Sequence, residues 1–220
     1  MTPAERFERL QSEILRWNSQ ISLVTRVDPE RTVVDLIGQC RRAWTLLVER
    51  LDSMGWPHDT CWVDIGSGSG LPGLVWAAEA RAAGWPGSVV LVEPRDKRAW
   101  FLNRATRAMG LDGVVVHAAR WGDQAATPGV AGSRAAVLSF KALRMGDREA
   151  LAGLAADDGL GTLERVAVVR FLGMGDQDTG ALLDEFGASS GDAGGGWVPD
   201  GGEFLGEDNP RLLVVFYRRT

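Results

Sequence analysis

Residues 62–73 constrain this chain more than any other stretch: Trp62-Val63-Asp64-Ile65-Gly66-Ser67-Gly68-Ser69-Gly70-Leu71-Pro72-Gly73. A hydrophobic run ends in glycines at alternate positions, Gly66, Gly68 and Gly70, then leaves through Leu71-Pro72, which reads as a helix start. A turn with so few side chains lets a ligand lie against main-chain N–H groups at the foot of a helix. Asp64 adds a carboxylate at the strand tip, and Glu93 adds another at the end of the next apolar run, where a ribose would sit. The segment is a strand–turn–helix unit built to hold a small ligand.

Two ligands suit such a unit. Gly68-x-Gly70-x-x-Gly73 matches the dinucleotide fingerprint, and Glu93 follows near its usual acidic spacing of roughly 20 residues. In that pattern, however, the first glycine follows the strand almost at once. Gly66-Ser67 would then intervene and Asp64 would go unexplained. The alternative pattern Asp64-x-Gly66-x-Gly68-x-Gly70 uses every special residue, and S-adenosylmethionine supplies the cationic amino-acid end and the ribose diol that two carboxylates match. S-adenosylmethionine is the expected cofactor. A nicotinamide dinucleotide and a bare structural turn are the other readings.

With 220 residues, 45% hydrophobic and 24% charged, the chain can bury a full core in one domain with a small N-terminal addition. The expected division is a helical cap over 1–56 and a cofactor-binding unit over 57–220, the two forming one globular body. No apolar run approaches a membrane span, and Met1-Thr2-Pro3-Ala4-Glu5-Arg6 lacks the form of a leader, so a cytoplasmic protein with no membrane partner is expected. Cys40 and Cys61 form no metal or disulfide framework; no metal is expected, and Cys61 reads as a buried thiol. A net charge of −5 argues against a surface that is basic all round, yet leaves room for one basic patch of the kind a nucleic-acid enzyme needs. The nine tryptophans are spread along the sequence, which suggests scattered packing roles more than a base-stacking platform.

Helical periodicity covers residues 3–18, where Phe7, Leu10, Ile14, Leu15 and Trp17 fall near one stripe, and a second helix opens at Asp28-Pro29-Glu30. These two helices are expected to cap one edge of a sheet. From residue 60 the chain alternates. Strands are expected at Cys61–Ile65, Ser88–Val92, Val114–His117, Ala135–Phe140, Val166–Leu172 and Arg211–Tyr217. Helices are expected near Leu71–Ala83, Asp96–Met109, Arg148–Ala156 and Thr179–Phe186. This predicts an α/β protein with a mainly parallel sheet, helices on both faces, and a ligand beyond the carboxyl ends of the strands. Residues 187–206, rich in glycine, serine and acids, read as a mobile surface loop.

Over nearly its whole length the chain resembles the glucose-inhibited division protein B family. The resemblance is carried by Trp17-Asn18, Leu23, Asp28-Pro29-Glu30, the run Val63 to Gly73 with its Leu71-Pro72-Gly73 ending, Glu93-Pro94, Lys97-Arg98, Phe101-Leu102, Gly110-Leu111 and Arg211 to Val215. It implies a Rossmann-like class I S-adenosylmethionine-dependent methyltransferase, with a seven-stranded, mainly parallel sheet and an N-terminal helical cap. The implied reaction is methylation of N7 of a guanine in small-subunit ribosomal RNA by a monomeric enzyme. Several positions depart from the family pattern. Ser139-Phe140-Lys141-Ala142 stands for Ser-Arg-Ala, and Asp35-Leu36 with Gln39-Cys40 for Arg-His and Asp-Ser. Phe171-Leu172-Gly173 stands for Leu-Lys-Gly, and Arg120-Trp121-Gly122 for Arg-Ala-Glu. The cofactor half is kept and the substrate-facing half has drifted.

Site residues follow from these readings. Asp64, Gly66, Ser67, Gly68, Gly70 and Leu71 are expected to hold the methionine end, Glu93 the ribose hydroxyls, and Trp121-Gly122 with Asp123 the adenine. Lys141 and Ser139 are the catalytic candidates, Lys141 taking the place of the family's arginine to orient the acceptor. Guanine N7 carries a lone pair and no proton, so the chemistry needs alignment more than a general base, which fits a chain whose only histidines are His58 and His117. Arg26 and Arg144 are the leading RNA contacts, with Arg31, Arg41, Arg42, Arg95, Lys97, Arg98 and Arg148 as further candidates. The competing functions are a small-molecule methyltransferase on the same scaffold and a non-catalytic, cofactor-binding, ribosome-associated protein.

Overall fold

The computed structural model describes residues 1–123, 132–141, 145–155, 163–172, 196–207 and 209–220. Two long helices open the chain. Helix α1 (Pro3–Ile21) starts from a capping box in which the Thr2 hydroxyl accepts from the Glu5 N–H while the Glu5 carboxylate accepts from the Thr2 N–H. Helix α2 (Pro29–Ser53) starts from Asp28, whose side chain accepts from the Arg31 N–H, with Pro29 in the first turn.

Strand and helix then alternate through β1 (Cys61–Ile65), α3 (Gly73–Ala82), β2 (Val89–Val92), α4 (Asp96–Ala108), β3 (Val114–His117), β4 (Ala135–Phe140), α5 (Asp147–Ala155), β5 (Arg165–Leu172), β6 (Trp197–Leu205) and β7 (Arg211–Arg219). The seven strands form one sheet in the order β3-β2-β1-β4-β5-β7-β6. Strands β1 to β5 pair in parallel, and β7 runs antiparallel to both β5 and β6. Neighbours β2 and β4 flank β1, so the strand order reverses at β1, and the crevice that such a reversal opens lies at the carboxyl ends of the strands.

Side chains alternate between two cores, as the strand period of two requires. Trp62, Leu91, Val137, Val169 and Val214 face α1 to α4, while Val63, Val90, Leu138, Val168 and Val215 face α5. Helices α1 and α2 therefore lie on a face of the sheet, against α3 and α4, and do not cap its edge. The reason is aromatic: Trp44 of α2 packs on Trp62 at 4.6 Å, and Trp62 meets Trp76 at 5.3 Å and Trp85 at 5.9 Å. Tryptophans far apart in sequence thus form one cluster, where the sequence suggested scattered roles.

The stretch expected to be a loop over 187–206 divides. Its residues 197–205 form β6, paired with β7 from Trp197↔Arg219 to Leu205↔Leu212. The Pro199-Asp200-Gly201-Gly202 segment that reads as a turn is absorbed by a register shift between Pro199 and Gly202 at the sheet edge, where proline and glycine are tolerated. Residues 187–195, like the helix expected at Thr179–Phe186, lie outside the described residues.

Candidate active site

A cavity of about 890 Å3 opens at the carboxyl ends of β1 to β4. Its floor is the glycine loop, Gly66 to Ser69 with Leu71; its walls come from Glu93 after β2, Trp121 after β3, Lys141 after β4, Thr32 and Leu36 of α2, and the α1–α2 connection at Leu23 to Thr25. Left-handed backbone at Gly66 (φ 71°) and Gly68 (φ 53°) bends the loop under the cavity, a conformation that costs glycine little.

The loop's amide groups do not point where the sequence suggested. The N–H groups of Gly66 and Ser67 donate to the Val92 carbonyl at 2.8 and 3.0 Å, that of Gly68 to the Glu93 carboxylate at 2.9 Å, and that of Gly70 to the Ser67 carbonyl at 2.7 Å. A pyrophosphate held by this loop would need those donors. They are committed to the protein. With four of its amides turned to the protein, the loop is a poor anion cradle.

Asp64 lies beneath the loop and does not line the cavity. Its side chain, on a residue 2% exposed, accepts from the Gly73 N–H at 3.1 Å and from the Ser139 hydroxyl at 3.1 Å. Burial pushes its carboxyl up to about 7, against the opposing pull of the Gly73 amide, the Ser139 and Ser67 hydroxyls and the Lys141 charge. Asp64 fastens β1 to the first turn of α3, and Ser139 is its partner from β4. Gly70 and Gly73 are packing glycines: an added Cβ would come within 2.4 Å of Leu74 at Gly70 and 2.3 Å of Leu91 at Gly73.

Glu93 lines the cavity although it is only 3% exposed. Besides Gly68, it accepts from the Arg95 N–H at 2.9 Å, so two main-chain amides fix its carboxylate. Trp121 closes another wall, its indole N–H donating to the Ala150 carbonyl at 2.8 Å. Gly122, left-handed at φ 84°, turns the chain behind it and does not line the cavity, whereas Asp123 does. Lys141 sits at the mouth, its ammonium donating to Gln39 Oε1 at 3.3 Å and lying 5.2 Å from the Phe171 ring centre.

The basic candidates separate into groups. Arg95 and Arg98 line the cavity, and Arg98 also donates to the Ser22 carbonyl at 3.0 Å. Arg41 pairs with Glu79 at 2.7 Å, Arg42 donates to the Asn209 carbonyl, and Arg31 faces Asp35. Arg26 is exposed next to the wall formed by Leu23 to Thr25, Arg148 is exposed on α5, and Arg144 lies outside the described residues. His58 packs edge-on against Trp85, away from the cavity.

Asn18, which carried part of the resemblance but no role in the site, builds the α1–α2 wall. Its Oδ1 accepts from the Leu23 and Val24 N–H groups at 2.8 and 2.9 Å, and its amide donates to the Thr25 carbonyl. The available signal was an asparagine at the end of an amphipathic stripe, a place where its side chain can satisfy a departing backbone. Arg120, Met145 and Glu149 also line the cavity and carried no motif. Among the described residues there is no cluster of three or more metal-ligating side chains, and no helix is long and apolar enough to cross a membrane. Both cysteines are buried thiols, pushed up to about 12 by burial.

The sheet order and the cavity at the reversal define a Rossmann-like α/β protein of the class I methyltransferase type. Residues 4–143 match the family described as rRNA small subunit methyltransferase G, and the chain belongs to it. A relative named ribosomal RNA small subunit methyltransferase G from Cereibacter sphaeroides is 35% identical over 115 residues, 52% of this chain and 51% of that protein. One of the same name from Myxococcus xanthus is 31% identical over 144 residues, 62% of this chain and 56% of its own length. The chain thus spans about half the length of the curated relatives it matches. Among solved structures, a mutant of MtNAS in complex with S-adenosylmethionine superposes with a TM-score of 0.55 at 16% identity, covering 99% of this chain and 73% of that one, a likeness of fold.

Proposed function

We propose that this chain is an S-adenosylmethionine-dependent methyltransferase that acts on N7 of a guanine in small-subunit ribosomal RNA. The observation that carries the cofactor reading is the inward commitment of the glycine-loop amides to Val92 and Glu93, which disfavours a pyrophosphate and suits a cationic ligand. Membership of the family, whose description names the small-subunit RNA, carries the acceptor. A monomer working in the cytoplasm, where ribosomal subunits are built, completes the reading.

When bound, S-adenosylmethionine supplies a methyl group already activated by its sulfonium. The protein's part is to bind and align. Carbonyls of the Gly66 to Gly68 turn receive the ammonium end, and Glu93, fixed by two amides, accepts from the ribose hydroxyls. Trp121 and Asp123 flank the adenine. Asp64 and Ser139 act through the loop: by holding the β1 tip to α3 they set the height of its floor. Lys141 stands across the mouth from Glu93 and orients the acceptor base or its phosphate by charge. N7 has no proton to surrender, so no side chain need act as a base.

The test is methyl transfer from labelled S-adenosylmethionine to small ribosomal subunits from a strain lacking this protein, with cofactor affinity measured by calorimetry. Label on a single guanine is the expected result. Cofactor binding with no label on subunits or naked RNA would sink the acceptor reading, and label on a metabolite pool would replace it with a small-molecule acceptor. Tighter binding of a nicotinamide dinucleotide than of S-adenosylmethionine would sink the cofactor reading.

A further inference from the structure

Beside the main cavity, on the far side of the first turn of α4, lies a second concavity of about 380 Å3 lined by Trp17, Gln20, Ile21, Asp96, Lys97 and Trp100. Trp100 is the largest exposed hydrophobic side chain among the described residues, at 48% exposure. It meets Trp17 edge-on, with ring centres 4.8 Å apart and planes at 79°, so the two indoles form a corner. Trp17 is held in place: its indole N–H donates to Glu13 at 3.1 Å, and the Arg104 and Arg16 guanidinium groups lie 5.5 and 5.7 Å from its ring centre. Arg104 is neutralised by Glu13, and Asp96 brings one negative charge, which leaves Lys97 and Arg16 as the local cations.

We propose that this corner is a stacking site for one unpaired base of the RNA substrate, a nucleotide flanking the one that enters the main cavity. An open indole face beside a fixed perpendicular ring and cations that can meet a phosphate is the surface on which proteins stack single-stranded bases. Continuity supports the assignment. Asp96 and Lys97 line this concavity while Arg95 and Arg98, in the same turn, line the main cavity. One strand crossing that turn therefore reaches both. Bases inside a duplex are stacked on both faces and have none to offer the corner, which favours an unpaired, single-stranded base. The inference deepens the proposed RNA acceptor and depends on it.

Binding of a single-stranded RNA of about ten nucleotides, within the range that such stacking grooves cover, is measured by fluorescence anisotropy for the wild type, Trp100→Ala and Trp100→Tyr. Cofactor affinity and thermal stability are measured on the same samples, and methylation of small subunits is followed in parallel. Loss of one base–aromatic stack predicts RNA binding weaker by about tenfold or more in Trp100→Ala. Trp100→Tyr keeps a ring and restores most of that loss, and cofactor affinity stays as in the wild type. Equal RNA binding by Trp100→Ala and the wild type overturns the stacking site while leaving methylation of the subunits intact. A parallel fall in cofactor affinity and stability makes Trp100 a structural residue and also overturns it. A wild-type chain that binds cofactor but neither binds the RNA nor methylates small subunits overturns the RNA acceptor itself, and the stacking site with it; one that methylates subunits without binding the RNA overturns the stacking site alone.

Discussion

Asp64 gives the sharpest quantitative expectation, because its carboxyl is buried without a cation in contact. Its proton affinity rises from the ordinary aspartate value of 3.8 to about 7, with burial as the leading cause. The folded state then holds a proton that the unfolded state has released throughout the interval between those two values. Stability follows the difference in bound protons, so this group's contribution falls as pH rises from about 4 to about 7 and levels off above that. At about 1.36 kcal/mol per tenfold change in proton affinity, the full displacement is on the order of 4 kcal/mol, of which roughly 2–3 kcal/mol falls between pH 5 and pH 8. Asp64→Asn keeps an acceptor for the Gly73 amide and removes the titration. Urea unfolding of both proteins at pH 5, 6, 7 and 8, without cofactor, isolates the term, since every other titrating group cancels in the difference. The variant gains on the wild type by roughly 2–3 kcal/mol across that range, or about 5–10 °C in midpoint temperature for a chain of this size. A difference that stays flat with pH, or one that grows towards acid, would show that the carboxylate is solvated or paired and that the loop is held in another way.

Four further outcomes follow from the geometry. Gly73→Ala sets a methyl 2.3 Å from Leu91 and 2.9 Å from the Asp64 Cβ, so overpacking outweighs the helix preference of alanine and the free energy of unfolding, measured in urea, falls by about 1–3 kcal/mol. Gly153→Ala puts its Cβ 2.1 Å from the Trp121 indole nitrogen, a rigid ring, and calorimetry should find cofactor affinity reduced as that wall shifts. Lys141→Ala lowers kcat/KM for RNA by roughly 10²-fold with cofactor affinity unchanged, an alignment defect of the size that misplaced substrates show; unchanged turnover would strike Lys141 from the site. Gln39→Asp pairs Lys141 with a carboxylate and lowers turnover more at low salt than at high salt, measured over an ionic-strength series.

Much of this molecule was legible because the relevant signals are local. Apolar runs bounded by turns gave β1, β3 and β4 with their observed ends, and a proline after a capping residue marked the starts of α1 and α2. Glycines at alternate positions marked the cavity floor. What failed was non-local. Strand β6 has Pro199, Gly201 and Gly202 in its middle and is held by cross-strand pairing with β7, a partner that no local pattern announces. The direction of the loop amides depends on the Val92 carbonyl and Glu93 arriving from the next strand. Asp64 reads as a ligand-binding acid from its place before the glycines, yet its surroundings, Gly73 and Ser139, come from α3 and β4. Asn18 had no legible role for the same reason: its partners Leu23 to Thr25 form a wall only after the chain turns back.

Three of the residues at which the chain departs from the pattern it resembles, Gln39, Lys141 and Phe171, meet at one place. Gln39 lies on α2, Lys141 follows β4 and Phe171 is near the end of β5, yet the Lys141 ammonium contacts both of the others. An ammonium beside a carboxylate loses most of its field at the cavity, whereas one beside a neutral amide keeps it. Gln39, a neutral amide, therefore leaves the positive charge free, and the Phe171 ring steadies it without neutralising it. The two contacts make one arrangement, a cation held at the mouth of the sheet. That cation also bears on the floor below, since the Lys141 charge is one of the forces drawing the Asp64 carboxyl back down. The mouth of the cavity and the glycine loop are thus joined electrostatically through Lys141 and Asp64, so a change at the mouth is felt at the loop.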